Sequence, residues 1–325
     1  MPVKNMIEAI NTALFDEMRS DPRVMVLGED VGALGGVFRA TEGLQREYGA
    51  QRVVDTPLAE AGIIGASVGL AVAGLVPVPE MQFLGFAHQA YHQIADQVAR
   101  FRFRSQGRFG LQITIRAPFG GGVRTPELHA DALEAQFAAC PGLKVVAPAT
   151  PADAYGMLIS AIRDPDPVLF LEPLRGYRLV KGEVPNDLAA TTLGTARRSR
   201  EGSDITVIAW SAAVQLAEQA AERAAQEGIS VAVLDLRSLV PLDVAGIAEA
   251  VIQTGRAVVV QEAPQSGGFA SEVVATIIEE AFYNLEAPVL RVSAPDAPYP
   301  LPGVEHHYLP SVERLLDAIR RTVQS

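Results

Sequence analysis

The chain has 325 residues, 49% hydrophobic and 20% charged, an ordinary globular balance. That length implies two domains and a large core. The net charge of −11 argues against a nucleic-acid or anionic-membrane surface, because phosphate binding relies on Lys and Arg, and the lone Cys140 excludes an internal disulfide.

Residues 5–19 repeat apolar positions at helical spacing, and VMVLG (24–28) reads as a strand. Glu60 then opens a run with no charge from Ala61 to Pro79. Gly62, Gly65, Gly69 and Gly74 interrupt it and Pro77 and Pro79 close it, so the reading is a helix buried on all sides rather than a membrane span. A short strand near 76–80 follows, then a helix across 86–104. LQITIRA (111–117), KVVAP (144–148) and VLFLE (168–172) read as strands, and PADAYGMLISAIRD as a helix with proline in its first turn.

Residues 173–190 are polar and aperiodic and read as a linker. A hairpin is expected next, from TTLGTARR through REGSD to ITVIAW. Helix 212–228, strand SVAVLDL, helix 243–253, strand AVVVQE, helix 270–284, strand PVLRVS and a helix near 311–322 complete the pattern. Strands of this kind, separated by helices, predict parallel sheets covered on both faces and two α/β domains, 1–187 and 188–325.

Glu60 at the head of an apolar helix is either a first-turn acid favoured by the helix dipole or a poorly hydrated carboxyl able to exchange a proton with a weak base. Gly120, Gly121 and Gly122 form a loop that could approach a ligand, a weak phosphate signal. His129 follows on a loop after a strand, where α/β proteins place their sites. His88, His92 and Asp96 share one helical face and read as a polar interface or, less simply, a metal chelate. The arginines of RFRFR (100–104) read as ion-paired, and Cys140 as a buried structural thiol. No GxxxxGK[ST], GxGxxG opening a helix or CxxC is present, nor a GDG with a later asparagine. Site parts without a phosphate anchor look like half of a site.

LGEDVGALGGVFRAT, DTPLAEAGIIGASVGLAVAGL, PEMQFLGFAHQAYHQIADQ, APFGGGVRTPELHADALEAQ, PGLKVVAPATPADAYGMLISAIRDPDPVLFLEP and VVVQEAPQSGG, in that order, resemble the β subunits of thiamine-diphosphate-dependent 2-oxoacid dehydrogenases, those of the pyruvate type most of all. The resemblance implies a pyrimidine-binding α/β domain followed by a transketolase C-terminal-like α/β domain. It implies that Glu60 bonds a ring nitrogen of the cofactor's aminopyrimidine, that Phe86 packs on that ring, and that His129 faces the thiazolium and assists acyl transfer to a lipoyl group. The diphosphate and its Mg2+ would lie on an α subunit, in a heterotetramer of two α and two β chains. Main-chain oxygens of Ile113, Ala161, Ile162, Asp164 and Asp166 match a potassium site of relatives, although Pro165 departs from the residue expected there.

From Leu242 to Pro288 the acids Asp243, Glu249, Glu262, Glu272, Glu279, Glu280 and Glu286 stand against Arg256 alone; such a surface is usually just solvated, and it is the resemblance that implies docking of a small basic domain of the lipoyl acyltransferase core there. The implied activity is cytoplasmic, bacterial oxidative decarboxylation of a 2-oxo acid, pyruvate first, with no nucleic-acid or membrane partner. Branched-chain 2-oxoacid and acetoin dehydrogenase subunits are the alternatives within the class, and a non-catalytic scaffold subunit the alternative outside it.

Overall fold

The strands come from short runs rich in β-branched residues, and the chain order of the helices between them places those strands side by side in parallel. The computed structural model describes residues 2–185 and 189–325. The expected boundary between 187 and 188 lies outside the described residues.

The strands are β1 (Val3–Asn5), β2 (Val24–Gly28), β3 (Val53–Asp55), β4 (Val76–Glu80), β5 (Thr114–Phe119), β6 (Lys144–Val146), β7 (Val168–Pro173), β8 (Lys181–Glu183), β9 (Arg197–Arg200), β10 (Ile205–Ala209), β11 (Val231–Asp235), β12 (Ser238–Val240), β13 (Ala257–Pro264) and β14 (Leu290–Ala294). A seven-stranded sheet runs β12-β6-β7-β5-β4-β2-β3 and a five-stranded sheet runs β14-β13-β10-β11-β9. Every pairing in both is parallel except those of the edge strands β12 and β9.

Helices Met6–Ser20 and Pro151–Arg163 cover one face of the first sheet. Asn5 and Glu8 form a reciprocal capping box on the former, and Thr150 caps the latter with Pro151 in its first turn. Met6, Ile10, Leu14 and Phe170 are fully buried between them and the strands. On the other face, the core around Ile64, Ile94 and Phe137 continues without a break into Trp210, Leu234 and Val259 of the second sheet.

Four expectations are corrected. The helix Glu60–Val72 is not buried on all sides: Ala61, Gly62, Ala66 and Gly69 are exposed and Val72 is 59% exposed. The helix across 86–104 is three pieces, Leu84–Ala90 in a 3₁₀ winding, Gln93–Val98 in a π winding and Phe101–Arg104 in an α winding. Residues 173–185 are not a linker, since Pro173 ends β7, Leu174 and Tyr177 are core, and β8 pairs antiparallel with β1. The hairpin does not form. β9 passes over β10 and pairs antiparallel with β11, because the space beside β10 is taken by β11 and β13. β12 has no counterpart among the expected strands; it crosses to the edge of the first sheet beside β6.

Candidate active site

Four side chains stand just past the carboxyl ends of neighbouring strands. Glu29 follows β2, Glu60 follows β3 after a short loop, Phe86 follows β4 and His129 follows β5. Parallel sheets of this type hold their ligands along that edge.

Glu60 is 7% exposed, and its carboxyl makes no side-chain hydrogen bond among the described residues. It stands in the first turn of its helix, whose free N–H groups favour a negative charge. Glu29 is also buried, at 8% exposure. Burial, then the charges of Glu60 and Asp30, raise its pKa above the ordinary carboxylate value. Sequence reasoning missed Glu29; the available signal was an acid placed directly after the buried strand VMVLG.

Phe83, Phe86 and His129 form an aromatic corner. The His129 ring lies 4.6 Å from Phe83 and 4.9 Å from Phe86, both edge to face. Phe86 and His129 are each partly exposed, so one side of the corner stays open. His129 Nδ1 donates to the Glu127 carbonyl at 3.2 Å, and Nε2 has no partner among the described residues. The His129 loop approaches the 84–90 turn so closely that a Cβ on Gly85 would sit 2.1 Å from the Leu128 carbonyl oxygen. Only glycine fits at that crossing.

A charged floor underlies the corner. Arg116 is fully buried and donates to both Glu172 oxygens, at 2.7 and 3.0 Å, and to Glu80 at 2.7 Å. The Tyr177 hydroxyl donates to Glu172 as well. Burial would weaken Arg116 as a cation, but the charges of Glu172 and Glu80 outweigh it and hold its proton more firmly than usual.

The glycine loop is not a phosphate cradle. Its amides are committed to carboxylates: Gly121 N–H donates to Glu262 at 3.0 Å and Gly122 N–H to Glu305 at 3.0 Å. A bound phosphate would meet two acids of its own sign. The histidine face is no chelate either. His92 pairs with Asp96 at 3.0 Å while His88 turns to Gln136 at 2.9 Å, and no group of three potential metal-ligating side chains occurs among the described residues. His306 and His307 lie against each other in the short helix Glu305–Tyr308. Arg100 and Arg102 pair with Asp96 and Asp166. Cys140 is buried, its thiol against the Gln136 carbonyl.

Ile113, Ala161, Ile162, Asp164 and Asp166 gather where the helix Pro151–Arg163 ends. The Ile162 carbonyl accepts from Gln112 at 2.7 Å and the Ile113 carbonyl from Val168 N–H at 2.9 Å. The side chains of Asp164 and Asp166 engage Lys144 and Arg102.

The residues fit the cofactor's pyrimidine end. Among the described residues, Glu60 offers a buried carboxyl without a hydrogen-bond partner, Phe86 an aromatic face, and the nearby Thr56 a buried hydroxyl oxygen that nothing satisfies. Two further acids below the corner, Glu80 and Glu172, are held by Arg116, which leaves Glu60 and Glu29 as the carboxyls that face a ligand.

The chain matches the family Transketolase, pyrimidine binding domain over residues 3–179 and Transketolase, C-terminal domain over residues 194–315. Among curated proteins it is 50% identical to the pyruvate dehydrogenase E1 component subunit beta of Bacillus subtilis (strain 168), over 324 residues covering 100% of both chains. The subunits of the same name from Staphylococcus aureus (strain Mu50 / ATCC 700699) and Staphylococcus epidermidis (strain ATCC 12228 / FDA PCI 1200) are 50% and 49% identical over the same span. Among solved structures, a split-gene transketolase described as an inactive beta4 tetramer superposes with a TM-score of 0.81, at 23% identity and 98% coverage of each chain, a likeness of fold. The chain therefore belongs to the family of pyruvate dehydrogenase E1 component β subunits, thiamine-diphosphate-dependent oxidoreductases built from the transketolase pyrimidine-binding and C-terminal domains.

Proposed function

We propose that this chain provides the pyrimidine half of an active site shared with an α subunit, and that the assembly oxidatively decarboxylates pyruvate and passes the acetyl group to a lipoyl-lysine. The observation that carries the reading is Glu60, buried beside Glu29 at the strand ends and left without a protein partner. Bound thiamine diphosphate supplies the electron sink that decarboxylation of a 2-oxo acid requires. Glu60 would share a proton with a pyrimidine ring nitrogen. Phe86 packs on the flat ring. His129, with Nδ1 held by the Glu127 carbonyl, would hold or deliver a proton as the acyl group moves to the lipoyl sulfur.

The diphosphate and Mg2+ belong to the α chain in this reading, because the glycine loop here is spent on Glu262 and Glu305. The uncharged, exposed side of the helix Glu60–Val72 supports burial against other chains of a heterotetramer with two α and two β subunits. Potassium is proposed at the carbonyl cluster of Ile113, Ala161, Ile162, Asp164 and Asp166, and the whole assembly is placed in the bacterial cytoplasm.

Docking of the lipoyl acyltransferase core on the C-terminal half is part of the same reading. Of the seven acids named for it, Asp243 caps a helix, Glu262 holds Gly121 and Glu286 pairs with Arg256. Glu249, Glu272, Glu279 and Glu280 are exposed and remain available to a basic partner. Charge reversal at these four, or high salt, is expected to weaken core binding.

The decisive experiment mixes the chain with its α partner, thiamine diphosphate and Mg2+, and compares pyruvate with 3-methyl-2-oxobutanoate, each chain alone serving as control. Turnover of pyruvate only in the mixture is the expected result. Activity of this chain alone would overturn the shared site, and preference for the branched substrate would overturn the pyruvate assignment.

A further inference from the structure

The segment that bears His129 has little structure of its own. Between β5 and the helix Glu134–Ala138 its internal backbone bonds include the long 3.5 Å contact from Gly120 N–H to the Asp131 carbonyl and the 3.2 Å turn from His129 N–H to the Pro126 carbonyl. Beyond the crossing at Gly85, its backbone amides are held from the C-terminal half of the chain. Glu262, on β13, accepts from Gly121 N–H at 3.0 Å. Glu305, on the helix Glu305–Tyr308, accepts through one oxygen from Gly122 N–H at 3.0 Å and Arg124 N–H at 3.1 Å, and from the Tyr299 hydroxyl.

Packing closes the same grip from the other end of the loop. Ala130, the residue after His129, is buried in a small cluster with Ala294, Tyr299, Tyr308 and Leu309. A Cβ on Gly121 would stand 2.1 Å from the Tyr299 hydroxyl oxygen, so the loop backbone lies directly on that tyrosine. Hydrogen bonds to carboxylates are the stronger kind, and three of the four donors here are main-chain groups that cannot reorient independently of the loop.

We infer that Glu262 and Glu305 are positioning residues for His129: by fixing the Gly120–Arg124 backbone they set where the imidazole stands against Phe83 and Phe86, and so couple the C-terminal half to acyl transfer. This rests on the assignment of His129 to the acyl-transfer step. A reacting group displaced by about 1 Å costs on the order of 100-fold in rate, and a loop with so few internal bonds cannot hold that tolerance unaided.

The test uses the full assembly with the α chain and reads two half-reactions: pyruvate decarboxylation with an artificial electron acceptor, and reductive acetylation of a free lipoyl domain. Glu305→Leu, Glu305→Gln, His129→Ala and the Glu305→Leu/His129→Ala double variant are compared. Glu305→Leu is expected to lower kcat for lipoyl acetylation by about 10- to 100-fold with little change in KM for pyruvate, and to affect the acceptor-linked rate far less. Glu305→Gln keeps an acceptor oxygen and restores most of the rate, and the double variant is no worse than His129→Ala.

Loss of both half-reactions in parallel, failure of the glutamine variant to rescue, or a further loss in the double variant would overturn the inference. Full transfer activity in His129→Ala would overturn the assignment it rests on, and the inference with it. Loss in His129→Ala with no effect of Glu305→Leu overturns the inference alone. Should Glu305→Leu fail to assemble, Glu262→Leu, which releases Gly121 only, carries the same expectations.

Discussion

The ring of His129 meets the ring of Phe86 edge to face, with centroids 4.9 Å apart and planes at 79°. The imidazole and the phenyl ring thus support each other. Phe86 also meets Phe83 at 5.8 Å, so its ring is held from two sides. Phe86→Ala is expected to weaken thiamine diphosphate binding about 10-fold, the aromatic contact being worth roughly 0.5–1.5 kcal/mol beyond the area it buries. Titration of cofactor into the mixed α/β assembly, read as activity, measures the shift. An unchanged midpoint would remove Phe86 from the cofactor site.

Glu60→Gln keeps the shape of the side chain and removes the exchangeable proton. Decarboxylation should fall by about 10²- to 10⁴-fold, the usual contribution of a positioned acid–base group. Because the carboxyl has no protein hydrogen bond to lose, assembly with the α chain should survive, as sedimentation would record. Undiminished turnover would favour a scaffold subunit.

Arg116 should dominate local stability. Removing it with Arg116→Met leaves Glu80 and Glu172 facing each other without a cation, in a site from which water is excluded. Breaking a buried pair from one side costs about 3–5 kcal/mol, and chemical denaturation of the isolated chain should show a loss of that order. A loss below about 1 kcal/mol would mean that the two carboxyls relax by taking up protons or water.

Much of this architecture was legible because local preference and tertiary demand agreed. VMVLG, VLFLE and SVAVLDL have buried-strand composition and became central strands, and Pro151 marked a helix start that formed as read. Legibility failed where the decisive contact lies far along the chain. β9 has a turn signal toward β10, yet β11 and β13 occupy both edges of β10. The segment 84–104 has helical composition, but it must present Phe86 and admit the Leu128 carbonyl at Gly85, and its winding changes twice. Glu60 and His129 stood out by their placement and Phe86 through the resemblance, whereas Glu262 and Glu305 act on amides more than 100 residues away. No local pattern marks a side chain by the backbone it will eventually hold.

Glu134 supplies a pH test of the junction between the two sheets. It is fully buried, accepts from Trp210 Nε1 through one oxygen and leaves the other without a partner. Burial first of all, and to a lesser degree the charge of Glu262, push its pKa from 4.5 up to about 7, against the opposing hydrogen bonds from its own backbone and Trp210. The folded state therefore binds this proton more tightly than the unfolded chain. Its contribution is fully present below the unfolded pKa of 4.5 and is lost as pH rises through about 7. At 1.36 kcal/mol per pKa unit the loss approaches ~3 kcal/mol. Unfolding free energy of the isolated chain, followed from pH 5 to pH 8, should decline by that order more than in Glu134→Gln, which keeps the Trp210 contact and cannot ionise. Comparison with the variant separates Glu134 from Asp235, which titrates in the same range, pushed up to about 7 by burial. Parallel pH profiles for the two proteins would mean that Glu134 ionises at its ordinary value and that solvent reaches the junction.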